Sequence, residues 1–97
     1  MPKGYWIAHI TVDDIDAYQL YRAKVPDILA RHGGRFLIRA GAQTVVEGAA
    51  RPRTVVIEFP SLAAAQACYN SAEYQAAKAL RTNASSGDIC IVEGWDG

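Results

Sequence analysis

Apolar and polar positions alternate from Tyr5 to Val12, with Trp6, Ala8, Ile10 and Val12 on one side. Tyr5, Ile7, His9 and Thr11 form a mixed set on the other. This period of two, in aromatic and β-branched residues, predicts a strand whose uniformly apolar side faces a helical layer. The period then changes. Ile15, Tyr18, Tyr21, Val25, Ile28 and Leu29 recur at three- and four-residue intervals, which predicts one helix with a single apolar stripe. Asp13 or Asp14 caps its start and Asp16 suits the positive end of its dipole. Pro26 interrupts the stripe and predicts a kink near Arg22 to Val25. His32-Gly33-Gly34 ends the helix, with a glycine for the left-handed position after the cap.

Arg35 to Arg39 reads as a second strand, Phe36 and Ile38 on one side, Arg35, Leu37 and Arg39 on the other. Gly41 marks a bulge, Gln43 to Glu47 continues extended, and Gly48 to Pro52 turns. Arg53 to Phe59 is the third strand, with Val55, Ile57 and Phe59 opposing Thr54, Val56 and Glu58. Pro60-Ser61 stops it, and Ser61 caps an alanine-rich helix from Leu62 to Tyr69. At the Asn70-Ser71 corner Ser71 caps a second helical piece running to about Asn83, with Glu73 in its first turn. Tyr74 and Arg81, seven residues apart, share one face of that piece. Ser85-Ser86-Gly87 reads as a loop and Asp88 to Glu93 as a last strand, apolar on both faces. The order β-α-β-β-α-β is the ferredoxin-like arrangement: an α+β fold with two helical regions on one face of a four-stranded antiparallel sheet.

Helices cover only one side of such a sheet. The other is expected to carry Tyr5, Ile7, His9, Thr11, Leu37, Arg39, Val56 and Glu58. Full burial of an apolar side chain of this size is worth about 1.5–3 kcal/mol, so a second copy of the chain, sheet against sheet, is the economical cover. His9, Arg39 and Glu58 would then be polar groups between two sheets, and such groups need partners or a ligand.

Composition narrows the classes. The 97 residues suit a single domain, 1–97. Ten basic and ten acidic side chains cancel, so the molecule as a whole has no nucleic-acid signature. The charge is uneven, because residues 22–53 hold seven basic side chains against Asp27 and Glu47. That excess favours a small anionic ligand, if it is more than solvated surface. Cys68 and Cys90 lack metal-like spacing and read as reduced thiols. Met1-Pro2-Lys3-Gly4 leads straight into the first strand, and no apolar run approaches the ~20 residues of a membrane span. A reducing cytoplasm is expected. Two distant histidines and a lone Gly-Gly make neither a metal site nor a phosphate cradle, so no metal or cofactor is expected.

Several stretches carry a resemblance: Gly4-Tyr5-Trp6, Tyr18-x-x-Tyr21 with Val25-Pro26, Gly33-Gly34-Arg35-Phe36, Arg39-Ala40-Gly41, Glu47-Gly48 and Glu58-Phe59-Pro60-Ser61. The most specific is Tyr69-Asn70-Ser71-x-Glu73-Tyr74 followed by Arg81. On these the chain resembles, over nearly its whole length, domain-of-unknown-function family 1330 in the dimeric α/β-barrel superfamily. It departs from the family pattern at Cys68, commonly tryptophan, and at Ala72, usually proline. The resemblance implies a homodimer and offers no established reaction.

Candidate chemistry follows. His9 offers a general base near neutral pH, or an interface histidine. Arg39 and Arg81 offer a bidentate carboxylate clamp, or ion pairs with Glu58 or Glu73. Tyr69, Ser71 and Tyr74 present hydroxyls toward a cavity between sheet and helices, although Ser71 is first a cap and the tyrosines are also packing residues. Three functions remain open: a homodimeric binder of a small anionic or aromatic organic molecule, a cofactor-independent oxygenase or isomerase with His9 as base, and a structural dimer without ligand.

Overall fold

A computed structural model describes residues 2–96; Met1, the first residue of the stretch leading into the first strand, lies outside them. The elements are β1 (Gly4–Val12), α1 (Ile15–Arg31), β2 (Arg35–Arg39), β3 (Arg53–Phe59), α2 (Leu62–Asn70), α3 (Ala72–Ala79) and β4 (Ser85–Glu93). The four strands form one antiparallel sheet in the order β2-β3-β1-β4, which is ferredoxin-like. Among the described residues no helix is long and apolar enough to cross a membrane.

Local chemistry sets the element ends. Asp14 accepts a bond from the Ala17 N–H (3.2 Å), Ser61 from Ala64 (3.0 Å) and Ser71 from Tyr74 (3.2 Å), each using a side-chain oxygen to satisfy an orphan donor. At the end of α1 the Gly33 N–H reaches the Ala30 carbonyl and the Gly34 N–H reaches Leu29. That is a Schellman motif, and Gly33 supplies its left-handed residue at φ +77°. Pro26 sits within the helix, which runs unbroken from Ile15 to Arg31. Its missing N–H leaves the Arg22 carbonyl without a helical donor, and an Arg39 N–H takes that place at 3.3 Å.

Trp6, Ala8 and Ile10 of β1 are buried beneath the helices together with Ile57 and Phe59 of β3. They pack against Val25, Ile28 and Leu29 of α1 and Ala65, Cys68, Tyr74 and Ala77 of the other two helices. Gly4 is required where β1 meets the start of α2, because a Cβ there would lie 2.5 Å from the Ser61 carbonyl oxygen. The opposite face of the sheet carries Tyr5, Ile7, His9 and Thr11, as expected.

Four expectations are corrected. The bulge falls between Phe36 and Ile38, not at Gly41, because β2 pairs Phe36 with Ile57, then Ile38 with Val56 and Arg39 with Val55. One extra residue reverses the facing of everything after it. Ile38 therefore joins the open face, and Arg39 moves to the helix side with Val55. Residues 43–47 do not extend as a strand. Strand β4 begins at Ser85, since the Ser85-Ser86-Gly87 stretch pairs with Val12, Thr11 and Ile10. Its facing is fixed by that register: Ile89 and Ile91 lie on the helix side, Asp88, Cys90 and Val92 on the open side. Helix α3 stops at Ala79, ahead of the expected Asn83, and residues 80–84 form turns.

Candidate functional site

The Asn70-Ser71 corner sets the site. Ser71 Oγ donates to the Cys68 carbonyl at 2.7 Å while accepting from Tyr74, so both ends of the corner are tied to one hydroxyl. The corner points Tyr74 inward, where it is fully buried. Its ring stands edge-on to Trp6, with centroids 4.8 Å apart. Trp6 is held in turn by a bond from its indole N–H to the Ala65 carbonyl, 2.9 Å.

The Tyr74 hydroxyl meets the Tyr21 hydroxyl at 2.7 Å and accepts from Arg81 Nη2 at 3.2 Å. The Arg81 guanidinium also lies over the Tyr21 ring, 5.2 Å from its centre. A tyrosine of α1, a tyrosine of α3 and an arginine just past α3 thus form one polar cluster inside the helical layer. Burial, reinforced by Tyr74, pushes the Tyr21 phenol far above its ordinary range, so it stays protonated. Burial would lower the Arg81 pKa, but Tyr74 and Tyr21 outweigh it and the guanidinium stays charged.

Beside Arg81 opens a cavity of about 260 Å³ between α3 and β4. Tyr69, Lys78 and Arg81 wall it on the helix side, Ser85 and Ser86 on the strand side, and Ile10 and Ile89 also line it. Lys78 lies over the Tyr69 ring at 5.5 Å. No carboxylate among the described residues forms an ion pair with Lys78 or Arg81. The cavity therefore presents two cations and the Ser85 hydroxyl above an apolar floor, whereas the Ser86 hydroxyl lies on the open face and accepts from Arg51 at 3.0 Å. Two cations over apolar side chains suit an anionic group attached to an apolar body.

A second cavity of about 40 Å³ lies under α1. Trp6, Tyr18, Tyr21 and Phe36 line it along with three arginines, Arg22, Arg39 and Arg53. It shares Ile10 and Ile89 with the first.

The anticipated site residues are thus divided. Tyr69 and Arg81 meet in the larger cavity, with Tyr74 behind Arg81 as its support. Arg39 lies in the smaller one, stacked on Phe36 at 4.3 Å, because of the β2 bulge. Ser71 is occupied by its two backbone bonds. His9 and Glu58 are on the other face of the sheet. His9 Nδ1 contacts Thr54 Oγ1 at 3.2 Å, and Thr54 in turn bonds Gln43. Glu58 accepts from Tyr5 (3.3 Å) and Arg35 (3.0 Å) and pairs with Lys3 (3.4 Å). Burial works to raise the Glu58 pKa, but Arg35 and then Lys3 outweigh it and hold it below its ordinary value. The anticipated ion pairs of Arg39 or Arg81 with Glu58 or Glu73 do not form; Glu73 pairs with Arg31.

Sequence reasoning missed Tyr21, Lys78, Ser85 and Ser86, and the arginines Arg22 and Arg53. Two signals pointed to Lys78 and Arg53. Tyr74, Lys78 and Arg81 follow the i, i+4, i+7 spacing of one helix face. Arg53 has the same strand parity as Val55, Ile57 and Phe59, which places it on the helix side.

Comparisons with known proteins agree with this architecture. The sequence profile described as "Domain of unknown function (DUF1330)" matches residues 3–95. No curated protein matches the chain by sequence. Among solved structures, a protein of unknown function from Rhodopseudomonas palustris superposes with a TM-score of 0.79 at 14% identity, covering 99% of this chain and 85% of that one. SnoaB, a cofactor-independent oxygenase from Streptomyces nogalater, superposes at 0.66 and 10% identity, covering 100% and 97%. An EthD family protein from Bacillus halodurans superposes at 0.56 and 12% identity, covering 98% and 100%. At such identities the likeness is one of fold.

Proposed function

Because the chain belongs to family DUF1330, which carries no known activity to inherit, its role is argued from its own side chains, and we propose that it is a homodimeric binder of a small anionic organic molecule with an aromatic or other apolar body. The observation that carries this reading is Arg81. Its guanidinium lines a cavity of ligand size, has no carboxylate partner among the described residues, and is steadied by Tyr74 and Tyr21. A partly buried, unpaired cation of this kind is completed by a bound anion. Lys78 supplies a further donor.

Titration with biphenyl-4-carboxylate by isothermal calorimetry tests the reading. Saturable binding that weakens at least about 10-fold in Arg81→Met supports it, as the loss of a charge-assisted pair predicts. Binding unchanged by Arg81→Met, or none at all, refutes it.

The open face of the sheet supports the dimer. Ile7, Ile38, Val56 and Val92 form an apolar surface of the kind that a second copy covers. Sedimentation equilibrium of the wild type should show a species of two chains, and Ile7→Glu should shift it to one.

The likeness to an oxygenase fold supports a second reading, a cofactor-independent oxygenase or isomerase with His9 as base. His9 lies across the sheet from Arg81, so this reading uses a substrate held between the two sheets of a dimer. Turnover of an aromatic substrate that falls about 10²–10⁴-fold in His9→Ala would favour it over the binder. A structural dimer without ligand is the outcome if neither test gives a signal.

A further inference from the structure

Carboxylates divide the ten lysine and arginine side chains sharply. Lys3, Arg31, Arg35 and Arg51 each pair with a carboxylate, and none of the four lines either cavity. Arg22, Arg39, Arg53, Lys78 and Arg81 form no ion pair with a carboxylate among the described residues, and all five line the two cavities. Lys24, the remaining one, is exposed on α1. A chain of zero net charge thus places five of the six cations that lack a carboxylate partner among the described residues in one region under the helices.

The smaller cavity is the less expected half of this pattern. Its walls are aromatic and aliphatic apart from the three arginines, of which Arg39 is exposed while Arg22 and Arg53 are half-buried. Arg39 and Arg22 are linked through one bond to the Arg22 carbonyl. Arg53 has its guanidinium 5.6 Å from the Tyr18 ring, and its buried Nε has no hydrogen-bond partner. A buried donor left unpaired among like charges calls for an acceptor. At about 40 Å³ the space is on the scale of one or two waters at about 30 Å³ each, which suits a carboxylate and excludes a ring.

The register gives the separation. Arg53 pairs across β1 with Ile10, and Ile10 pairs with Gly87, which lines the larger cavity. Two interstrand steps of about 4.8 Å put the strand positions Arg53 and Gly87 about 10 Å apart, with Ile10 between them.

We propose that the cavity under α1 is a second anion subsite, and that the ligand is a dianion. One acidic group meets Arg81 and Lys78, the apolar body lies over Ile10 and Ile89, and the second acidic group meets Arg53 and Arg39. This rests on the ligand-binding reading above and adds the second charge to it.

Biphenyl-4-carboxylate and biphenyl-4,4′-dicarboxylate share a body and differ by one acid, so their calorimetric affinities isolate the second subsite. The wild type should bind the diacid roughly 10- to 100-fold more tightly. Arg53→Met should bring the diacid down to the affinity of the monoacid, whereas Arg81→Met should weaken both. Arg39→Gln is the companion variant, and it should lower the diacid advantage in the same way. Equal wild-type affinities for the two acids would overturn the second subsite and leave the ligand reading standing. Binding of neither acid would overturn both. A diacid advantage that survives both Arg53→Met and Arg39→Gln would also overturn it.

Discussion

Removing a single oxygen, by Tyr74→Phe, tests whether the polar cluster under the helices is structural glue as well as a support for Arg81. The ring itself is not at issue. Tyr74 is fully buried against Trp6 and Tyr69, with centroids 4.8 and 5.3 Å away, and phenylalanine fills the same volume without leaving a cavity. The hydroxyl carries two bonds, one with the neutral Tyr21 phenol and one from the charged Arg81 guanidinium. A neutral bond is worth about 0.5–1.5 kcal/mol and one to a charged group about 1.5–3 kcal/mol, which sets an upper sum near about 4.5 kcal/mol. Arg81 is only half-buried and can turn toward water, which recovers part of its share. Tyr21 is the more deeply committed partner, and its phenol has little solvent to replace the lost bond. The expected loss is about 2–3 kcal/mol.

At roughly 4–8 °C per kcal/mol for a domain of this size, the thermal midpoint should fall by about 10–20 °C. Urea unfolding followed by circular dichroism gives the free energy directly, with an unchanged m-value if the denatured state is not involved. Tyr21→Phe and the double variant close a mutant cycle, in which a coupling of about 1 kcal/mol is expected for two hydroxyls 2.7 Å apart. A loss under about 0.5 kcal/mol at constant m would refute the idea that the cluster holds α1 to α3, and would leave Tyr74 a packing residue only.

The other expectations concern pH and backbone contact. The Glu58 carboxyl has a lower pKa folded than unfolded, so it adds stability above its ordinary value near 4.5 and loses it as the pH falls through the folded value. Urea midpoints at pH 7 and pH 3 should therefore converge in Glu58→Gln relative to the wild type; an equal acid loss in both would show that the Arg35 and Lys3 pairs contribute nothing. The Tyr21 phenol has the opposite sign, since its folded pKa lies above the ordinary 10.0. Above that pH the unfolded chain releases a proton that the folded one keeps, and stability should fall with rising pH in the wild type and more shallowly in Tyr21→Phe. Gly4→Ala puts a methyl group 2.5 Å from the Ser61 oxygen and 2.7 Å from Leu62 Cα, both backbone, so it should cost about 3 kcal/mol or prevent folding. A urea midpoint near that of the wild type would show that the start of α2 gives way easily.

Much of the fold was legible because its signals are local. Asp14, Ser61 and Ser71 cap helices through bonds spanning three residues, and Gly33-Gly34 closes α1 through bonds to the turn just before it. The alternation of β1 survives intact because residues 4–10 are paired on both sides, and 11–12 with β4, in uninterrupted registers. Ser85-Ser86-Gly87 looked like a loop by composition, and only the ladder from β1 makes it strand. Gly87 belongs in that ladder, since a Cβ there would stand 2.8 Å from the His9 carbonyl oxygen.

The site was less legible for a reason of parity. In Phe36-Leu37-Ile38 three apolar residues follow one another, so either facing buries hydrophobic surface and nothing in β2 itself marks the extra residue. Pairing with β3 decides it, and that decision carries Arg39 from the open face to the helix side. There its guanidinium finds the Arg22 carbonyl that Pro26 left free. The proline, the bulge and the arginine are therefore one device spread over residues 22–39, and none of the three is informative alone. The same reasoning explains the charges. Whether a cation finds a carboxylate depends on cross-strand and interhelical neighbours: Arg35 lies opposite Glu58 on β3, whereas Arg53 lies opposite Ile10 on β1. A net charge of zero conceals that division. The cations without carboxylate partners that line the two cavities under the helices are the ground on which anion binding is proposed.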